Sequence, residues 1–314
     1  MDSSHVLTTP PETFVTQPAV PSWWSRLGSR LRGAPLISLG IMLSLVFVAI
    51  FADFLAPYPY DNPNSRYTPE VGELRNKYLP PMWQARGKPQ FILGTDQQGR
   101  DILSRLIYGS RISLKVAVMA VIVSGIVGTA LGILSGYIGG WADQVVMRIT
   151  DSWLALPPVT FAILLAAVVK PSEWNIVIIL GVVYWTRYAR VIRGEVLSLK
   201  ERDYVRLAVV AGCSKLRIML SHILPNVANS AVVIATLQLG VVVIAEATLS
   251  FLGVGVPSPQ PAWGVMLNDG RAGLMTGSWW LSVFPGLCIM FVVLAASSLG
   301  DWFRVWSDPQ LRQL

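Results

Sequence analysis

Residues 203–226 read DYVRLAVVAGCSKLRIMLSHILPN and form a short polar and basic segment between two long apolar stretches. A connection that only turns the chain around between two membrane spans does not need helical periodicity. Here apolar residues recur at helical spacing on both sides of Gly212. We therefore predict that the segment forms two short helices that fit a groove on a partner, with a self-packed hairpin as the alternative.

The first helix is expected to begin at Asp203, whose side chain can cap it. Gly212 then permits a sharp turn or a close approach of another backbone. The second helix is predicted over residues 214–222, and Pro225 is expected to restart the chain as the next span. The residues predicted to share the buried face of the first helix are Val205, Ala208, Val209 and Gly212. Those predicted to pack in the second are Leu216, Met219 and Leu220.

The composition is typical of a membrane protein. The 314-residue chain is 53% hydrophobic and 14% charged, whereas soluble domains are about a quarter charged. Its net charge of +7 comes from basic residues concentrated between apolar runs, where they orient membrane spans and do not indicate nucleic acid. The two cysteines and the two histidines lie too far apart in the sequence to indicate a disulfide framework or a histidine metal site.

The hydropathy predicts an all-α polytopic membrane helical bundle with both termini in the cytoplasm. About six transmembrane helices fit best, although five or seven would also fit. The predicted spans are residues 34–56, 114–138, 145–169, 175–188, 227–252 and 279–299. The strongest basic bias, over residues 187–222, falls on the cytoplasmic side by span counting, as the positive-inside rule requires.

The remaining segments complete this domain organisation. We predict an exported loop over residues 57–113, which ends in an amphipathic helix along the membrane interface at residues 102–113. The core transmembrane domain is predicted over residues 114–302, with its cytoplasmic helices at about 203–222. Residues 1–33 and 303–314 are expected to be cytoplasmic tails.

Two features of the predicted spans indicate how the helices pack. Gly128, Gly132 and Gly136 recur every four residues, and small residues on one helix face allow a second helix to approach closely. Pro157 and Pro158 interrupt the third predicted span because each removes a backbone donor. Such a break either lines a substrate path or only accommodates packing.

The sequence contains no pattern for chemistry of its own. No G-x-x-x-x-G-K-[ST] motif occurs, so this route to ATP binding is absent from the chain. Glu246 is the exception among nearly charge-free spans. It is either a paired or interfacial carboxylate or a polar point on a substrate path. We predict no catalytic residue, no metal ligand and no enzyme activity in this chain.

Residues 204–226 resemble the cytoplasmic coupling motif, known as the EAA motif, of permease subunits of binding-protein-dependent ABC importers. The resemblance is closest to the C-type subunit of the dipeptide, oligopeptide and nickel group. Arg206 and Leu207 stand where that motif has its glutamate and first alanine, so a salt bridge from the glutamate position is not expected. The matching residues are Ala208, Gly212, His222, Leu224, Pro225 and Asn226.

Two further stretches resemble the same subfamily. One is LGTDQQGRD at residues 93–101, and the other is LSFLGVG at residues 249–255, followed by Trp263 and Gly264. The resemblance covers about residues 26–309. It implies that the exported loops contact the binding protein or a second permease through Gly94, Thr95, Asp96, Gly99, Arg100, Asp101, Trp263 and Gly264.

The resemblance implies a type I ABC importer permease in the bacterial inner (plasma) membrane. Its expected partners are a second permease subunit, two ATPase subunits that carry ATP and Mg²⁺, and an extracytoplasmic solute-binding protein. Peptides are the first expectation for the substrate, with nickel, glutathione-like compounds and sugars as alternatives. A self-contained channel or carrier and a membrane scaffold are the competing functions.

The polar and proline residues of the spans, together with the resemblance, indicate roles within the chain. The substrate pathway would include Glu246, Pro157 and Pro158. The residues expected to couple to the ATPases are Tyr204, Val205, Ala208, Gly212, Leu216, His222, Leu224, Pro225 and Asn226.

Overall fold

The computed structural model describes residues 35–60 and 77–307. Over these ranges the secondary structure is helical apart from an isolated β-bridge between Thr95 and Asp101. The elements are α1 Leu36–Ile50, α2 Ala52–Leu55, α3 Ile102–Ile138, α4 Gly140–Leu154, α5 Pro158–Val168, α6 Glu173–Leu199, α7 Asp203–Val210, α8 Lys215–Ile218, a π-helical turn Met219–Ile223, α9 Leu224–Phe251, α10 Trp263–Met275 and α11 Trp280–Ser307.

Among the described residues, four helical stretches are long and apolar enough to cross a membrane. They are Ile102–Ile138, Glu173–Leu199, Lys215–Phe251 and Trp280–Ser307. The pair α4 and α5, bent by 93°, meets the same criterion as a fifth, and α1 is a shorter apolar helix of 15 residues. The prediction of a polytopic helical bundle is confirmed, and the count of six is approximate.

The predicted interfacial helix over residues 102–113 is wrong, because α3 runs without interruption from Ile102 to Ile138. Arg105, a charged residue within this segment, is only 1% exposed, whereas a helix along the membrane interface would expose its charged residues. The amphipathic pattern gave the wrong prediction because carboxylates packed against this arginine neutralise its charge. A charged residue at helical spacing therefore did not indicate a solvent-exposed helix face.

Several predicted boundaries were too short. Hydropathy stopped the fourth span at residue 188 and the sixth at residue 299, but the helical backbone continues to Leu199 and Ser307. The reason is that charged residues lower the hydropathy of the sequence, which ends a predicted span, but they do not end the helical backbone. The tail predicted from residue 303 therefore begins inside α11, while residues 1–33 and 308–314 lie outside the described residues. Helix α10 occupies a region that we predicted as loop.

The glycine stripe of α3 packs against α6, as predicted. A Cβ atom on Gly128 would lie 2.3 Å from the carbonyl oxygen of Trp185. One on Gly132 would lie 2.8 Å from the carbonyl oxygen of Ala189. Side chains at these positions would push the two backbones apart, so the glycines set the distance between two central helices.

The predicted break at the paired prolines is also present. Pro157 lies at the N-cap of α5 and Pro158 is its first residue, a position where a missing N–H costs little. The resulting corner of 93° is held by Trp153, whose indole nitrogen donates a hydrogen bond of 2.9 Å to the carbonyl oxygen of Val182. The Phe161 ring packs edge-on against the same indole at 5.2 Å.

Candidate coupling site and translocation surface

Helix α7 follows closely on the end of α6, and its inward side chains join a buried cluster that includes residues of α6. Arg202 lies at its N-cap, and Asp203 lies in its first turn. The predicted capping by Asp203 is therefore not observed, although a carboxylate in this turn interacts favourably with the helix dipole. Val205 and Ala208 are buried as predicted, in a cluster that includes Tyr188 of α6. Val209 and Gly212, predicted on the same face, are exposed.

Gly212 closes α7 in a Schellman arrangement. Its φ angle is +77°, and its N–H donates to the carbonyl oxygen of Val209 at 3.0 Å. The N–H of Cys213 donates to the carbonyl oxygen of Ala208 at the same distance. Apart from its chain neighbours, no atom of the described residues lies within 4 Å of a Cβ placed on Gly212. The glycine is therefore required for its left-handed conformation, not for a close approach.

We expect Gly212→Leu to loosen the end of α7 by about 1–2 kcal/mol, the cost of a left-handed conformation for a residue with a side chain. Gly212→Asn is the matched control, because asparagine tolerates this conformation. Hydrogen exchange at the amides of residues 207–213 measures the effect. Equal protection in both variants would show that the turn conformation does not stabilise α7.

Residues 215–251 form one continuous helical run, so Pro225 does not restart the chain as predicted. The π turn over Met219–Ile223 accommodates the proline, because its wider hydrogen-bonding pattern pairs the N–H of Leu224 with the carbonyl oxygen of Met219. The side-chain amide of Asn226 donates a hydrogen bond of 2.6 Å to the carbonyl oxygen of His222. The His-Ile-Leu-Pro-Asn stretch at residues 222–226 thus joins the loop rigidly to α9.

The buried face of the second helix differs from the prediction. Leu216 and Leu220 are exposed, and Ile218 and Ile223 are buried instead. Leu216 and Ile218 precede the π turn, so the turn does not explain their placement. It adds a residue to the helical turn over Met219–Ile223 and so shifts the period only from there onward. A constant helical period could not anticipate that shift. Leu216 and Leu220 line an apolar groove of about 570 Å³ between this helix and α3.

The outward side of α7 is apolar. Leu207 is 66% exposed and Val210 is 85% exposed, with Tyr204 and Val209 also exposed beside them. We call these four residues the α7 face. An exposed apolar patch at a helix hairpin is typical of a protein contact site. Leu207 and Val210 were not predicted for this surface, although their i, i+3 spacing opposite Val205 indicates a second apolar side of the helix.

Arg206, at the position of the motif's glutamate, has a partner within the chain. Its guanidinium donates to Glu201, and both side chains are exposed. The hydrogen bond from Arg206 holds the pKa of Glu201 below its usual range. An exposed pair of this kind contributes little to stability. It replaces the motif's usual charge with a local contact beside the α7 face.

The stretch of residues 94–101, predicted to contact a partner, is largely buried within the chain. Asp96 accepts hydrogen bonds from the backbone N–H and the Nε of Arg100, at 2.9 and 2.6 Å, and pairs with Arg105. Asp269 of α10 pairs with the same two arginines at 3.1 Å. We correct the prediction, because these side chains fasten the exported loop to α3 and α10. The buried members of the predicted set are Gly94, Thr95, Asp96, Gly99, Arg100 and Asp101.

Trp263 and Gly264 are also internal, contrary to the predicted partner contact. The indole nitrogen of Trp263 donates to the carbonyl oxygen of Leu106 at 3.2 Å. A Cβ on Gly264 would lie 2.4 Å from the carbonyl oxygen of Ala247. Through these contacts, Trp263 and Gly264 pack α10 against α3 and α9.

Glu246 is fully buried in α9 and does not line an open path. Its Oε1 accepts a hydrogen bond of 2.7 Å from the Ser250 hydroxyl, which in turn accepts one of 3.2 Å from the N–H of Val256. This placement does not support a polar point on an open path, and the hydrogen bond to Oε1 comes from a serine one turn along the same helix. Of the two prolines assigned to the path, Pro158 lines a cavity at the corner between α4 and α5.

Family models match this architecture. The model of the inner membrane component of binding-protein-dependent transport systems matches residues 128–313. The N-terminal TM domain of oligopeptide transport permease C matches residues 23–81. The chain belongs to the family of binding-protein-dependent transport system inner membrane components, which confirms the resemblance drawn from residues 204–226. It is a multi-pass protein of the inner membrane.

Curated relatives match nearly the whole chain. It is 37% identical over 303 residues to the dipeptide transport system permease protein DppC of Haemophilus influenzae, covering 96% of this chain and 99% of that protein. It is 38% identical over 271 residues to the di/tripeptide transport system permease protein DppC of Pseudomonas aeruginosa, 86% of each. It is 35% identical over 291 residues to the glutathione transport system permease protein GsiD of Pectobacterium atrosepticum, with 92% and 91% covered.

Proposed function

We propose that this chain forms half of the translocation pathway of an ATP-driven peptide importer. The family match supports a permease subunit. The names of the relatives, which transport dipeptides, di/tripeptides or glutathione, support a short peptide as the substrate. The other half of the pathway comes from a second permease subunit, and a solute-binding protein delivers the peptide from outside.

The observation that carries this proposal is the α7 face. Leu207 and Val210 are exposed on a helix whose other side is fixed to α6. We infer that this face docks into an apolar groove of an ATPase subunit in the cytoplasm. ATP and Mg²⁺ bind to that partner, and this chain carries out no hydrolysis.

The continuous helix from Lys215 to Phe251 connects this docking surface to the opposite end of the molecule. A displacement of α7 by the ATPase is therefore transmitted along a rigid element. The buried Glu246 and Ser250 hold the far end of that element to the loop at Val256. In this proposal, ATP-driven closure of the ATPases moves α9 and alternates access to the pathway.

Purification of the complex in a gentle detergent from the native host tests the assembly. We expect mass spectrometry to identify a second multi-span permease and one or two P-loop ATPases. Recovery of this chain alone, intact and monodisperse, would contradict the proposal and favour a self-contained channel or carrier.

We expect Val210→Glu to weaken ATPase docking by about 2 kcal/mol, or roughly thirtyfold, because it places a charge at the centre of an apolar contact. The fold should survive, since Val210 is exposed in the isolated chain. The measurements are co-purification of the ATPase and peptide uptake by reconstituted complexes. Met275→Glu is the matched control, because Met275 is equally exposed but lies on α10, beyond the other end of α9. Equal ATPase recovery in both variants would contradict docking through α7.

A further inference from the structure

A small cavity lies at the corner between α4 and α5, with α6 and α9 completing its wall. Its volume is about 280 Å³, near the lower end of the range for small-molecule sites. Trp153, Phe161 and Tyr184 supply aromatic surface, and among the described residues Arg187 is the only charged group in the lining. The cavity therefore combines an apolar wall with a single positive charge.

Arg187 differs from the two arginines that follow it on α6. Arg190 pairs with Asp151 and Arg193 pairs with Asp143. Arg187 is exposed, and in the described part of the chain no carboxylate lies within ion-pairing distance of it. It lies near the middle of α6, a helix apolar enough to span the membrane. An exposed guanidinium that no carboxylate of the described residues neutralises is available to bind an anion.

The wall around this charge is held in place by internal contacts. The hydrogen bond from Trp153 to the carbonyl oxygen of Val182 sets the orientation of the indole. The carbonyl oxygen of Tyr184 accepts a hydrogen bond of 3.1 Å from the side chain of Gln238 on α9. These contacts join three of the surrounding helices. The cavity is therefore formed before any ligand arrives, which lowers the cost of binding.

We propose that this cavity is a subsite for the C-terminal carboxylate of the peptide in transit, with Arg187 as its partner. The inference rests on the proposed function as a peptide importer. A guanidinium forms two parallel hydrogen bonds with a carboxylate. The aromatic wall accommodates the side chain of the terminal residue. The corner at Pro157 and Pro158 places the subsite where two helical segments meet, as expected for non-helical backbone that lines a path.

The test uses the complete transporter, with its second permease, ATPases and binding protein, reconstituted in liposomes. The probe is radiolabelled alanyl-phenylalanine. We expect Arg187→Gln to reduce uptake at least about tenfold, the effect of losing hydrogen bonds to a charged group. Arg187→Lys should retain part of the activity because it keeps the charge. Arg190→Gln is the matched control on the same helix, expected within about threefold of wild type, since its exposed pair contributes little.

A second readout separates carboxylate binding from a structural role. The C-terminal amide of the same peptide lacks the negative charge, so Arg187→Gln should not reduce its uptake further. Both peptides are first confirmed to bind the solute-binding protein. Equal loss of uptake for the acid and the amide would overturn the proposal.

Other outcomes would also overturn it. Wild-type uptake of alanyl-phenylalanine by Arg187→Gln would remove Arg187 from the pathway. Failure of this variant to assemble would assign Arg187 to a contact with the second permease, and an effect only in liposomes with anionic lipid would assign it to a headgroup. Each of these results leaves the importer assembly of the wild-type chain intact. Failure of the wild-type chain itself to recruit ATPases would instead contradict the proposed function.

Discussion

Asp96→Ala is expected to destabilise the protein by about 3–5 kcal/mol, the cost of removing one partner from a buried ion-pair network. Asp96 and Asp269 together neutralise Arg100 and Arg105 in a buried cluster. Without Asp96, two guanidinium groups share one carboxylate away from water. Asp96 also accepts hydrogen bonds from the backbone N–H groups of Gln98 and Arg100, at 2.8 and 2.9 Å. The substitution therefore also removes the hydrogen bonds that stabilise the turn in this loop.

Thermal unfolding of the purified protein, followed by tryptophan fluorescence, measures this effect. The control is Asp53→Ala, which removes a carboxylate that pairs with Arg111 where both side chains are substantially exposed. That loss should cost less than about 1 kcal/mol. Similar stabilities of the two variants would show that the buried network does not hold the exported loop to α3 and α10.

Gly128→Ala is expected to cost about 3 kcal/mol, at the upper end of the usual penalty for overpacking. The added methyl group would lie 2.3 Å from the carbonyl oxygen of Trp185 and 2.6 Å from the Cβ of Tyr188. A backbone atom cannot move aside as a flexible side chain can. The contact between α3 and α6 would therefore have to open along its length.

Gly194→Ala provides a control with the same chemical change on a neighbouring helix. Beyond its own helical turn, a Cβ at Gly194 meets no atom of the described residues within 4 Å. Alanine should therefore be neutral or stabilising by up to about 1 kcal/mol through its higher helix propensity. Folded yield and unfolding temperature in detergent are the measurements. If both variants unfolded at the wild-type temperature, the close packing of α3 on α6 would not limit stability.

The α7 face and the cavity at Arg187 lie at the two ends of one proposed mechanism. The first receives force from an ATPase, and the second contacts the peptide. Helix α6 belongs to both, because it carries Arg187 and packs through Tyr188 against the cluster that holds Val205. A movement of α7 therefore acts on the helix that bears the proposed carboxylate partner.

The sequence by itself determined the class of the protein. Runs of apolar residues predicted the helical membrane bundle, because the hydrocarbon core imposes a length and a polarity on each span. Spacing alone also predicted the glycine contact of α3 and the break at Pro157 and Pro158. The turn at Gly212 was predictable for the same reason, since each depends on backbone geometry within a few residues. The family could be predicted from residues 204–226, because the motif lies within one short stretch of sequence.

Only the tertiary structure decided which polar residues face inward. Asp96 and Arg100 resembled contact residues of an exported loop, but Asp269 is far away in the sequence and completes their burial. In the second helix Ile218 is buried in place of Leu216, and the π turn before α9 departs from the uniform helical period that the prediction assumed. The unpaired state of Arg187 likewise depends on which carboxylates its neighbours have taken. Charge compensation and burial are properties of contacts distant in sequence, so hydropathy and spacing could not predict them.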